Sequence, residues 1–184
     1  MVAALSMVAF PDGVEDWAVL DISEPVSEPY AVPELRTRVD LAEDERDAQF
    51  RVFGDFRREN YDDLARIQRQ LGDQPERRFS GRLGELQDRW DAFRAERREV
   101  VAALRDAEMA LEREIRVVTK SLQRESTPEY LVGERLSRQA RVRVTTPSGE
   151  RHVLVTLSRY ELRNQFDAVV PSRWIVTEIV EAEN

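Results

Sequence analysis

The chain has 184 residues, 41% of them hydrophobic and 35% charged, with a net charge of −8 at pH 7. That length fits one domain, or one domain with a helical arm, and so high a charged fraction suits long exposed helices. The acidic balance argues against general nucleic-acid binding, and the absence of cysteine excludes disulfides, thiolate metal sites and cysteine nucleophiles.

Lys120 is the only lysine, so 27 of the 28 basic residues are arginine. Arginine forms two-pronged bonds with carboxylates that lysine cannot, so the chain is well supplied for ion pairs between elements. Met1 to Phe10 is apolar, lacks a basic flank and is too short to span a bilayer. It is expected to be a strand or packing segment. No signal peptide or membrane span is expected, which fits a cytoplasmic or particle-associated protein.

The first 35 residues carry Asp12, Glu15, Asp16, Asp21, Glu24, Glu28 and Glu34 and no basic residue. Pro11-Asp12-Gly13 signals a turn. Trp17 to Ile22 predicts a strand with Trp17, Val19 and Ile22 inward. Pro25, Pro29 and Pro33 predict an extended connection.

A first helix is expected over about 41–71, with Asp40 as N-cap and Glu43 completing a capping box. Phe50, Phe53, Leu64, Ile67 and Leu71 continue its seam. Gly72 ends it and Pro75 prevents its resumption. Ser80 is expected to cap a second helix over about 82–125. There Leu83, Leu86, Trp90, Phe93, Val100, Leu104, Ala107, Leu111 and Val118 repeat at three-then-four spacing. Arg57, Asn60 and Arg97 interrupt the two seams. They predict either a polar layer partnered by Asp91 or Asp55, or a local rotation in which Phe56 and Tyr61 take over. Two long helices joined by a short loop predict a coiled-coil-like antiparallel hairpin. The second helix outruns the first, so Leu111, Ile115, Val118 and Leu122 need a cover, either the chain's own sheet or a partner.

Thr127-Pro128-Glu129 looks like a helix restart, with a short helix over Tyr130 to Leu136. Val142 and Val144 alternate with Arg141 and Arg143, Thr146 to Gly149 makes a turn, and His152 to Leu157 returns as a strand. Ser158 to Phe166 predicts a helical turn, Pro171 a break, and Trp174 to Val180 a last strand.

The fold class expected is therefore α+β: a long helical hairpin with a small, mostly antiparallel sheet from both chain ends. Its segments are 1–39 (acidic, extended), 40–126 (hairpin) and 127–184 (β-rich). For chemistry the residues offer little. His152 is the lone histidine, which in a strand is more often structural than catalytic. No phosphate loop, HExxH or GxSxG occurs. No catalytic, cofactor-binding or metal residue is assigned, no cofactor is implied, and no enzyme activity is expected.

The expected function is structural: a subunit of a larger complex or particle that self-associates or docks a protein partner. The contact residues are Leu111, Ile115, Val118 and Leu122. The alternative is a nucleic-acid-associated or regulatory protein using a basic patch of Arg135, Arg138, Arg141, Arg143 and Arg151. Aromatic company there is limited to Tyr130, Tyr160 and Trp174, thin for a stacking platform. The acidic N-terminal segment is the expected neutraliser of these arginines. No membrane contact is expected.

Overall fold

The computed structural model describes Phe10 and residues 13–75 and 77–182. The expected packing role of residues 1–9 and the Pro11-Asp12 part of the first turn lie outside the described residues. The chain divides into two compact units, residues 1–33 with 112–184, and residues 34–111.

In the first unit, β1 (Asp16–Ile22), β2 (Val26–Pro29), β3 (Val132–Thr146), β4 (Gly149–Arg163), β5 (Val169–Val170) and β6 (Ile175–Glu181) form one antiparallel sheet. β3 and β4 are 15 residues each and pair without a slip from Val132↔Arg163 to Thr146↔Gly149. β1 and β2 pair successively along the free side of β3, and β6 and β5 along that of β4. Alternate residues of a strand face opposite ways, so the register assigns every side chain to a face.

That assignment shows a change of buried face midway along the hairpin. Over its turn end, Ala140, Val142 and Val144 lie beside Val153 and Val155 on one face. They form a core with Phe10, joined by the partly buried Trp17, Leu157, Val176 and Ile179. Over the other end the buried residues of β4 are Ser158, Tyr160 and Leu162, on the opposite face. There the ring of Tyr160 meets Tyr30 edge-on at 6.1 Å. Tyr160 Oη donates to Oε1 of Glu114, and Ser121 Oγ donates to the Arg173 carbonyl at 3.1 Å. These bonds tie residues 112–122 of the last helix to the sheet unit. Gly133 is essential to the pairing, because a Cβ there would lie 2.0 Å from the Glu161 carbonyl oxygen.

The helices are α1 (Val32–Glu59), α2 (Tyr61–Asp73) and α3 (Arg82–Leu122). Within residues 34–111 the core is Phe56, Leu64, Ile67 and Leu86, with Leu71, Phe79, Leu83, Trp90 and Phe93 against it. Phe53 lies 5.3 Å from Trp90, and Phe56 lies 4.9 Å from Phe93.

These elements correct the expected architecture. In place of a two-helix hairpin with a small sheet, the described residues form three helices and a six-stranded antiparallel sheet. The first helix starts at Val32 rather than Leu41. Pro33 belongs to its first turn, where the missing N–H costs nothing, and Asp40 lies in its interior. It breaks at Asn60, whose backbone leaves helical geometry (φ −118, ψ 24) and whose Nδ2 donates to the Phe56 carbonyl at 2.9 Å. The Phe56 carbonyl also accepts the Asn60 backbone N–H at 3.2 Å, so the side chain adds a second bond there, and back-bonding of this kind bends a helix. Of the two readings of the interruption, Phe56 is buried but Tyr61 is 63% exposed. Arg97 finds no acidic layer and sits 4.7 Å over the Phe50 ring. The expected short helices at Tyr130 to Leu136 and Ser158 to Phe166 are mostly continuations of β3 and β4, because each supplies the other with a full ladder of partners.

Candidate functional site

The five arginines of the expected patch all lie on or beside the β3–β4 hairpin, but the structure splits them between its faces. Arg135, Arg141 and Arg143 share one face of β3. Arg138 lies on the other. Arg151 is opposite Val144 and therefore also on the other face, so it does not join Arg141 and Arg143.

Carboxylates accompany most of this charge. Arg135 Nη1 lies 3.5 Å from Glu114 Oε2, and Glu28 stands opposite Arg135 in the register. Asp21 stands opposite Arg141. Arg151 Nη1 pairs with Glu181 at 2.9 Å, Arg159 pairs with Glu161, and Arg163 pairs with Asp167 at 3.2 Å. Arg143 faces Ala18 and His152. His152 Nε2 is 3.7 Å from Glu150, and no group of three potential metal ligands occurs among the described residues.

Glu114 is only 7% exposed and sits between Tyr160 and Arg135. Burial pushes its carboxyl above the ordinary value of 4.5. Arg135 opposes that shift and Glu28 adds to it. Arg135 also donates from Nη2 to Ser158 Oγ at 3.4 Å. This cluster joins β3, β4 and α3, and its polar atoms face one another rather than an opening.

The opposite face carries a different arrangement. The Arg138 guanidinium lies 4.6 Å from the centre of the Trp174 ring, and that of Arg159 lies 5.5 Å from it. The register makes this contact: Arg138 pairs with Leu157 and Arg159 with Leu136, which sets the two arginines diagonally on one face. Trp174 immediately precedes β6, whose Ile175 pairs with Ser158. Glu134 and Glu161 share this face, and Ser27 Oγ donates to Glu134 at 2.6 Å. The Nε atoms of Arg138 and Arg159 are buried without a hydrogen-bond partner, and Arg138 has no ion pair among the described residues. A cavity of about 600 Å³ adjoins the face, lined by Glu134, Arg159, Glu161, Arg163 and Ser172 among others.

The expected contact stripe is placed differently. Val118 is fully buried, Leu122 is 7% exposed, and Leu111 and Ile115 are half-buried. Much of the stripe is therefore covered by the chain itself. Exposed apolar residues occur elsewhere, at Val19, Leu20, Ile22 and Val26 on β1 and β2, and at Val101 and Met109 on α3. Sequence spacing gave no sign of the Trp174 arrangement, since residues 138, 159 and 174 meet only through the pairing of three strands.

No protein-family model, no curated protein and no solved structure matches this chain. No helix among the described residues is long and apolar enough to cross a membrane.

Proposed function

We propose that this chain is a non-enzymatic docking protein, a subunit of a larger assembly, and that the Trp174 face of its sheet is a contact surface for a protein partner. The observation that supports it is the pair of guanidiniums over one indole, with Glu134 and Glu161 on the same face. Tryptophan and arginine dominate binding energy at protein interfaces, and mixed charge around them supplies orientation. The indole with Arg138, which lacks a carboxylate partner, also favours a second reading, stacking on a nucleic acid. The two carboxylates weigh against it, since they would repel a phosphate backbone.

A photo-crosslinking amino acid in place of Leu136, on this face, tests the reading in the native cell. Adducts to one protein, lost with Trp174→Ala while the fold is retained, support docking. Adducts to nucleic acid promote the second reading, and absence of any adduct removes this face from the function.

A further inference from the structure

Two surfaces on this chain complement one another. The first is the outer edge of the sheet. Residues 13–30 carry Glu15, Asp16, Asp21, Glu24 and Glu28 and no basic residue. Here Val19 is 45% exposed, Leu20 50%, Ile22 46% and Val26 60%. Among the described residues β1 pairs only with β3, and its other side is an edge among them. Edge strands are usually guarded by charge or covered by a helix, because open apolar edges associate.

The second surface lies on α3. Arg94, Arg97, Arg98 and Arg105, with one carboxylate, Asp106, border a groove of about 690 Å³ that holds the exposed Val101 and Met109. At about 100° per residue these positions form one stripe, turned away from the buried Val100, Leu104 and Ala107. From Arg94 to Met109 the stripe is about 22 Å long, and seven residues of β1 extend about 23 Å.

We infer that the acidic β1 edge of one copy docks on the arginine-bordered α3 stripe of a second copy, giving self-association. Each surface has an excess of what the other needs: on one, Glu15, Asp16 and Glu24 beside apolar residues, with Asp21 and Glu28 opposite Arg141 and Arg135; on the other, four guanidiniums against one carboxylate beside apolar residues. Like surfaces do not pair. Two stripes would oppose four arginines to four, and two edges five carboxylates to five. A nucleic acid would meet the arginines but leave Val101 and Met109 against phosphate. The contact uses unlike surfaces, so it either is made twice about a two-fold axis, each edge on the other copy's stripe, or propagates until geometry closes a ring. The inference deepens the assembly reading above and rests on it, but it uses neither Trp174 nor its face, so the two can fail separately.

Light scattering on a sizing column tests it with the full chain. The wild type is expected to show a mass above 21.4 kDa that rises with concentration and falls as salt screens the contact. Arg98→Glu with Arg105→Glu should be monomeric, and so should Asp16→Arg with Glu24→Arg. All four positions are exposed, so both variants should keep the wild-type circular dichroism. An equimolar mixture of the two variants should associate again, because each supplies the surface the other has lost. A wild type that stays monomeric at its highest soluble concentration overturns the inference. So does association that neither charge reversal disturbs, or a mixture that remains monomeric. Duplex DNA bound by the wild type and released by the arginine reversals, with mass unchanged, would assign the stripe to nucleic acid instead.

Discussion

Tyr160→Phe isolates one buried bond. Tyr160 is fully buried, its ring packs edge-on against Tyr30, and its hydroxyl donates to Glu114. Phenylalanine keeps the ring and removes only the donor. A hydrogen bond to a charged acceptor contributes about 1.5–3 kcal/mol, and the loss leaves Glu114 with Arg135 at 3.5 Å as its ion-pair partner. At about 2–4 °C per kcal/mol for a chain of this size, the melting temperature at neutral pH should fall by about 3–12 °C. The effect should also depend on pH. Glu114 has a folded-state pKa above its unfolded value, so the folded protein holds this proton more tightly. The stability contributed by that proton is fully present below about pH 4.5 and is lost as pH rises through the folded value. Once Glu114 is protonated the bond is between neutral groups, and the penalty of Tyr160→Phe should shrink to about 0.5–1.5 kcal/mol. Thermal unfolding followed by circular dichroism from pH 4 to pH 8 measures both. A melting temperature equal to wild type across that range would show that the hydroxyl does not hold the carboxylate.

Glu114→Gln should remove this site's contribution to the pH dependence, so that wild type gains on the variant as pH falls toward 4.5; a constant difference would show that Glu114 does not titrate across the range. Gly133→Ala should cost roughly 1–3 kcal/mol or more in denaturant melts, since the new methyl overlaps the Glu161 carbonyl. Gly54→Ala should do the opposite and stabilise by about 0.8–1 kcal/mol, because Gly54 lies inside α1 and a Cβ there meets nothing within 4 Å. Leu86→Ala, at a position 5% exposed in the helical core, should cost about 2–5 kcal/mol; an unchanged midpoint would remove Leu86 from that core.

The parts of the fold that repeat a simple period are legible in the chain. Val142 and Val144 alternate with arginines, Thr146 to Gly149 turns, and the long seam of α3 runs on past its one interruption at Arg97. What is not legible has local causes. The break at Asn60 is confined to one residue, whose backbone leaves helical geometry while its side chain bonds back to the Phe56 carbonyl. The helix start at Val32 hides behind Pro33, which punctuates a chain equally well as a stop or as a first turn. The outer halves of β3 and β4 are obscured because the residues facing the second core are Gly133, Arg135, Ser137 and Ser158 as well as Tyr160 and Leu162. Alternation of apolar residues is lost there although the strands continue. The Trp174 face is less accessible still, because a diagonal contact between strands has no signature along any one of them.

The change of buried face along the β3–β4 hairpin has a consequence for fidelity. In an ordinary half-buried hairpin, a slip of one residue turns a single core outward. Here a one-residue slip of β4 against β3 would eject Val153 and Val155 from one side and Tyr160 and Leu162 from the other at once. The two ends act as opposed keys on one shaft: no shift by an odd number of residues satisfies either. A ribbon of this length, otherwise a candidate for mispairing during synthesis, is thereby guarded against odd shifts at both ends by its own side chains.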